Sequence, residues 1–301
     1  MPEHAVEGQT LSGGGRWVDY SNLVKLPHTV FALPFALVGA TLASYRYTVG
    51  PMDVFWVLMA FTAARFAAMG FNRVVDRSID ALNFRTRGRE IPAGKLSVRQ
   101  ASVAVGVASA LFVFSAGMLN TLCLVLSPFA LGWVLLYSYT KRFTRWAHLV
   151  LGFALAIAPV GAFLAISGRW SEPSGALLSL AAAVLCWVAG FDILYSLQDQ
   201  SFDRENGLHS VPAAFGLRGA ILISRTLHVL SVMMFAVTGV LFVELGTLYF
   251  VGVLGIGAML LYEQSLVRRD DLSRIDAAFF NINGAISVLF MAVVLVERLL
   301  W

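Results

Sequence analysis

Apolar residues run almost without interruption for about 20 positions at a time along this chain, and short polar segments divide the runs. A helix needs roughly 20 largely apolar residues to cross the hydrocarbon of a bilayer. Nine runs meet that length, at about 24–45, 53–72, 98–117, 119–139, 147–167, 175–195, 219–243, 246–266 and 277–299. In lipid a backbone finds its hydrogen-bond partners within its own segment, so runs of this kind predict helices. The expected fold is all-α: a polytopic membrane protein with nine transmembrane helices in a single bundle around a central cavity, spanning residues 21–301. Residues 1–20 are polar, include Gly13-Gly14-Gly15 and show no apolar core of a signal peptide, which predicts a flexible tail.

Composition sharpens this picture. Of the 301 residues 58% are hydrophobic and 13% charged, with a mean hydropathy of +0.75, whereas soluble domains average about 25% charged. The chain belongs in a bilayer. Lys and Arg accumulate in cytoplasmic loops, and here they crowd alternate loops: Arg73, Arg77, Arg85, Arg87, Arg89, Lys95 and Arg99 after the second run, Lys141, Arg142 and Arg145 after the fourth, Arg204 and Arg218 after the sixth, and Arg268, Arg269 and Arg274 after the eighth. The other side carries Arg46, Arg169 and Arg298. The N-terminus is therefore expected inside and the C-terminus outside, in a bacterial inner (cytoplasmic) membrane. The net charge of +4 comes from this loop bias and argues for membrane lipid, not nucleic acid, as partner. Cys123 and Cys186 lie within apolar runs, without metal-ligand spacing, and read as small core residues.

Against that background two acidic segments stand out. Asn72-x-x-x-Asp76-x-x-x-Asp80 and Tyr195-x-x-x-Asp199-x-x-x-Asp203 share one spacing, and each residue of the second lies 123 positions after its counterpart. Both lead to similar exits, Ile91-Pro92-Ala93-Gly94 and Val211-Pro212-Ala213-Ala214. Residues four apart share a helix face, so each copy is expected to project its carboxylates one way, and two such faces turned together make a four-carboxylate cage. The plainer reading of any single one of these aspartates is solvation at the interface or pairing with Arg73, Arg77 or Arg204.

An all-oxygen ligand set without His or Cys suits a hard cation, Mg²⁺ above all, which retains waters and takes one or two carboxylates plus phosphate oxygens. Two Mg²⁺ ions on Asp76, Asp80, Asp199 and Asp203 leave positions open for a diphosphate, and the neighbouring Lys and Arg residues are natural partners of one. A diphosphate held beside a hydrophobic bundle points to an amphiphile whose tail lies in the membrane, a polyprenyl diphosphate.

These motifs resemble the two signatures of the UbiA superfamily of intramembrane prenyltransferases. The likeness runs from Lys25-Leu26-Pro27-His28-Thr29-Val30-Phe31-Ala32-Leu33-Pro34 through Asn83 to Gly94, Tyr137 to Arg142 and Phe191 to Gly216, and reaches the Asn281/Asn283 region. Within the superfamily it is most similar to the 4-hydroxybenzoate polyprenyltransferase branch. The resemblance implies Mg²⁺-dependent transfer of a polyprenyl group from its diphosphate to the ring of an aromatic hydroxy acid, on a ubiquinone or menaquinone route. A dihydroxynaphthoate, or the haem, chlorophyllide or lipid acceptors of other branches, stay open as alternatives. It further implies that Asp76, Asp80, Asp199 and Asp203 hold the metal, with Asn72 completing the first set, that Lys141 and Arg142 bind diphosphate beside Tyr195, and that Asp192 orients or deprotonates the acceptor hydroxyl. Ser138 stands where the family's signature has a proline, so the end of that helix is free to differ.

Other residues are weighed on their own chemistry. Arg65 is the basic residue set well inside a run, seven before Asn72 and on roughly its face; an intramembrane Arg faces a cavity or an acid, which gives either the acceptor carboxylate or an ion pair with Asp192 or Glu263. Lys25 opens the first run on the motif side, as a diphosphate contact or by snorkelling. Asn281 and Asn283 line the pocket or bond between helices. The polar segments near 81–97 and 204–217 are each expected to form a short helix and cap that excludes water from the site. A cation transporter is the non-enzyme alternative, but the acids gather at one face among many arginines, which repel a passing cation.

Overall fold

The structure, a computed structural model, describes residues 11–25, 29, 32–267 and 281–301; Pro27, His28, Arg268, Arg269 and Arg274 lie outside them. Among the described residues every regular element is a helix: α1 Arg16–Leu23, α2 Leu33–Ser44, α3 Pro51–Val75, α4 Arg77–Leu82, α5 Val98–Leu119, α6 Thr121–Thr140, α7 Ala147–Ser167, α8 Ser174–Tyr195, α9 Gln200–Glu205, α10 Val211–Leu241, α11 Thr247–Leu266 and α12 Asn283–Leu300. Eight of these are long and apolar enough to cross a membrane, and α2 is shorter. This is an integral membrane protein of the all-α class.

The difference from nine full helices has a local cause. Proline is best accommodated in the first turn of a helix, where its missing N–H costs no bond, and Pro34 sits at the start of α2, whereas Pro128 and Pro159 lie inside α6 and α7. The chain before it still follows α3: the Arg73 guanidinium donates to the Leu23 carbonyl at 3.3 Å and Arg65 to the Thr29 hydroxyl at 3.2 Å. Among the described residues the helix of this first run is α2, Leu33–Ser44, shorter than the eight long enough to cross. Of the expected tail, residues 16–20 belong to α1, and Asn22 clamps the Leu11 backbone by accepting its N–H at 2.8 Å and donating to its carbonyl at 3.0 Å.

Chain neighbours pack side by side, α3 on α5, α5 on α6, α6 on α7, α7 on α8, α8 on α10, α10 on α11 and α11 on α12; α12 then returns to α2, which also packs on α3 and α7. The helices form a closed ring. Its core is aromatic, with Phe35 of α2 within 5.0 Å of Trp187 and 5.6 Å of Phe290, ring centre to ring centre, and Phe235 within 4.7 Å of Phe290. Close approach is made possible by Gly39, where an added Cβ lies 2.0 Å from the Pro159 carbonyl oxygen, and by Gly190, where it lies 2.3 Å from the His228 ring. Asn283 bonds between helices: it accepts from the Trp187 indole at 2.8 Å and donates to Glu263 at 2.9 Å.

The two acidic segments fold alike. Asp76 ends α3 and begins the six-residue α4, which holds Asp80 in its first turn; Asp199 ends a 3-10 turn after α8 and begins the six-residue α9, which holds Asp203 in its first turn. The expectation of one unbroken helix face per motif is corrected here. The helix breaks at the first aspartate of each pair, where the backbone turns to φ −90° at Asp76 and −99° at Asp199. The segments that follow differ in length. Asn83 to Ser97 is a string of turns, so the short helix expected within 81–97 does not form there; α4 ends at Leu82, at its start. Residues 206–210 lead quickly into α10, which kinks at Gly216 with φ 70°.

Candidate active site

The two motifs meet at one end of the ring. Asn83, three residues beyond Asp80, donates to Asp199 Oδ1 at 3.0 Å, and Arg85 forks onto the same carboxylate through Nε at 3.0 Å and Nη2 at 2.5 Å. Arg85 also donates to the Tyr195 hydroxyl at 3.1 Å, with its guanidinium 5.3 Å from that ring's centre. Arg89 pairs with Asp80 Oδ1, and Arg142 with Asp76 Oδ1 at 3.1 Å. Asn72 donates to the other oxygen of Asp76 at 2.9 Å.

Lys141, at the end of α6, joins the two sets. Burial alone would lower its pKa, but the carboxylates of Asp203 and Asp199 hold it above the usual lysine value. The same ammonium also acts on Asp76, whose carboxyl burial pushes up against the pull of Arg142 and Lys141. The 206–210 loop is tied here, since the His209 N–H donates to the Lys141 carbonyl at 2.7 Å. Where the family's signature has a proline, α6 continues through Ser138 to Thr140.

The plainer reading named other arginines. Arg73 donates instead to Leu23, Arg77 to Val74 and Arg204 to Ala213, all backbone carbonyls, and it is Arg85, Arg89 and Arg142 that take the carboxylates. Among the described residues no three acidic or imidazole groups stand close enough to share one ion. Like charges in a buried site separate unless a cation lies between them, and here guanidinium groups fill that role.

Room for a hard cation is nevertheless written into the donor set. Asp80 Oδ2 and Asp203 Oδ2 are buried and have no hydrogen-bond partner among the described residues, on residues 5% and 2% exposed. A bare buried carboxylate oxygen is costly, and a metal ion is a partner that suits it. The all-oxygen set of Asp76, Asp80, Asp199 and Asp203 fits Mg²⁺.

Deeper, on α8, Asp192 Oδ2 lies 2.6 Å from Nδ1 of His148, a fully buried residue near the start of α7 that no sequence motif marked. Its other ring nitrogen, Nε2, accepts the N–H of Val211 at 3.3 Å. Arg65 donates to Thr29 and forms no ion pair among the described residues; Asp192 is held by His148 and Glu263 by Asn283, so neither pairing considered for Arg65 is made. Lys25 follows α1 with φ 47°, the one non-glycine at positive φ among the described residues. An L-residue pays roughly 1–2 kcal/mol there. A surface cavity of about 550 Å³ lined by Tyr20, Ser97, Arg99, Gln100, Val103 and Ala104 involves none of the carboxylates.

Comparison with known proteins gives the family and the fold. The model of the UbiA prenyltransferase family matches residues 32–285. The 4-hydroxybenzoate octaprenyltransferase of Aeromonas salmonicida (strain A449) is 28% identical over 284 residues, 93% of this chain and 96% of that protein; that of Citrobacter koseri (strain ATCC BAA-895 / CDC 4225-83 / SGSC4696) is 31% identical over 240 residues, 78% and 81%. The apo structure of a UbiA homolog from Aeropyrum pernix K1 superposes with a TM-score of 0.81 at 36% identity, over 90% of this chain and 98% of that one. A UbiA homolog from Archaeoglobus fulgidus bound to DMAPP and Mg²⁺ shares the fold, with a TM-score of 0.70 at 19% identity over 94% of this chain and 100% of that one.

Proposed function

The chain belongs to the UbiA prenyltransferase family, and from that premise we propose that it transfers a polyprenyl group from polyprenyl diphosphate to the ring of an aromatic hydroxy acid of the 4-hydroxybenzoate type. The observation that carries this reading is the meeting of the two aspartate sets around Lys141, with Asp80 Oδ2 and Asp203 Oδ2 left bare. Asp76, Asp80, Asp199 and Asp203, with Asn72 beside the first, would hold two Mg²⁺ ions. When bound, these supply charge to neutralise the leaving diphosphate.

The chain's own groups do the rest. Lys141, Arg142 and Arg85 bind diphosphate oxygens as negative charge grows on them, in a site of low dielectric, and Tyr195 seats Arg85. With the carboxylates given to metal, the guanidiniums that hold them now would be free for phosphate, the pairing for which an Arg fork is suited. Lys25, two residues beyond α1, is a further diphosphate contact in this reading. The developing allylic cation is attacked by the ring carbon ortho to the hydroxyl. Asp192 takes the hydroxyl proton, which raises the ring's electron density. Arg65, a half-buried cation whose one hydrogen bond among the described residues goes to the Thr29 hydroxyl, binds the acceptor carboxylate. The turns of 83–97 and the 206–210 loop cover the site and keep water from quenching the cation. The active site and the N-terminus face the cytoplasm, in the inner membrane of a bacterium, with the prenyl tail among membrane lipids.

The test is turnover of labelled prenyl diphosphate by purified protein with 4-hydroxybenzoate and with 1,4-dihydroxy-6-naphthoate, with and without Mg²⁺. Prenylated hydroxybenzoate that disappears with EDTA and returns with Mg²⁺ is the expected result. Product from the naphthoate alone moves the enzyme to the other acceptor, and full activity of Asp76→Ala or Asp199→Ala refutes the metal assignment.

A further inference from the structure

His148 makes two hydrogen bonds that settle its own chemistry. A backbone N–H can only donate, so the Val211 N–H at 3.3 Å requires a lone pair on Nε2. The ring is then neutral, and its one proton sits on Nδ1, 2.6 Å from Asp192 Oδ2. Asp192 Oδ1 takes no hydrogen bond among the described residues, and the side chain keeps 18% of its surface exposed while His148 keeps none. One carboxylate oxygen is locked and the other is open.

We propose that His148 is a positioning residue for prenyl transfer: it holds Asp192 as a carboxylate and turns Oδ1 toward the acceptor hydroxyl. The inference rests on the role given to Asp192 above. In the step it serves, the hydroxyl proton passes to Oδ1 and the oxygen's electron pair moves into the ring. The ortho carbon bonds to the allylic carbon as the carbon–oxygen bond to diphosphate breaks with its pair; that ring carbon's proton then passes to the released diphosphate, which restores aromaticity, and the proton held on Oδ1 returns to the ring oxygen. His148 cannot collect the proton itself, because Nδ1 already carries one and Nε2 is engaged.

The same ring reports on the loop above the site. Val211 directly follows residues 206–210, whose His209 N–H is bonded to the Lys141 carbonyl. Placement of that loop therefore sets the His148 ring and the backbone of the diphosphate-binding lysine together. The ionisable groups acting on Asp192 from packed elements are His148 of α7, and Tyr137 and Lys141 of α6 and its end, with Tyr195 one turn further along α8.

The experiment compares His148→Gln, His148→Asn and Asp192→Asn for kcat, for the KM of each substrate and for the pH profile of kcat. The His148 variants should lose about 10- to 100-fold in kcat, part of the ~10²- to 10⁴-fold that a placed base contributes, with the KM for prenyl diphosphate unchanged. Their activity should recover as the pH rises and the acceptor hydroxyl ionises in solution. A wild-type kcat and pH profile in the His148 variants, with Asp192→Asn inactive, overturns the inference alone. An active Asp192→Asn overturns the reading of Asp192 beneath it. Should the variants not fold, ¹⁵N spectra of the wild-type imidazoles decide: a neutral Nδ1–H ring near pH 7 is expected, and its absence overturns the proposal.

Discussion

Replacing Arg85 by Met isolates what guanidinium does for the carboxylates before metal arrives. Arg85 and Asp199 are each about nine-tenths buried and doubly bonded to one another. Removing one partner of such a pair leaves a buried charge and costs roughly 3–5 kcal/mol. Asn83 and Lys141 remain beside Asp199, which places the loss at the lower end, about 3 kcal/mol. At roughly 2–4 °C per kcal/mol for larger domains, Arg85→Met should melt about 6–12 °C below the parent protein in detergent, compared at one scan rate. Mg²⁺ alone should then close much of the gap. In the parent a cation must displace Arg85, whereas in the variant it meets an unpaired carboxylate, and ligand that binds only the folded state stabilises it by mass action. A gap that is absent without metal, or that persists unchanged in saturating Mg²⁺, would refute the idea that arginine and metal compete for Asp199.

Three further outcomes follow from the same coordinates. Arg65→Met should raise the KM for the acceptor by about 10- to 100-fold, the worth of one charged hydrogen bond, and leave the KM for prenyl diphosphate alone; equal changes in both would count against a carboxylate contact. Gly39→Ala puts a Cβ 2.0 Å from backbone oxygen, so α2 and α7 must part and the protein should lose about 1–3 kcal/mol. Gly106→Ala, with nothing within 4 Å of the new carbon, should lose nothing, and thermal melts of the two side by side check the difference. Asp203→Asn should abolish Mg²⁺-dependent turnover while the protein still inserts in membranes, as fractionation and activity assays together would show.

Much of this molecule was legible before any coordinates. Long apolar runs give crossings because lipid leaves the backbone no other choice, and the acidic repeat shows as two aspartates capping two six-residue helices in matched positions. What spacing could not show was the fold of the backbone between Asp80 and Ser97. Arg85 and Arg89 counted only as positive charge for orientation, since a string of turns has no periodicity from which to say where its side chains point. His148 was hidden for a related reason. A lone imidazole among apolar residues acquires meaning only when α7, α8 and the start of α10 are brought together. The first run misled in the opposite way, because its hydrophobicity is continuous while the helix described there, α2, begins only at Leu33 with Pro34 in its first turn.

Closure of the ring carries a consequence for biogenesis. The seal between α12 and α2 joins segments separated by nearly the whole chain, and such distant pairings are late and slow to form. Until the final helix has emerged from the ribosome and entered the bilayer, α2 lacks one of its walls. A nascent chain that stalls before Asn283 would therefore expose the Phe35 aromatic cluster to lipid, presenting quality-control proteases with a seam that the finished protein never shows.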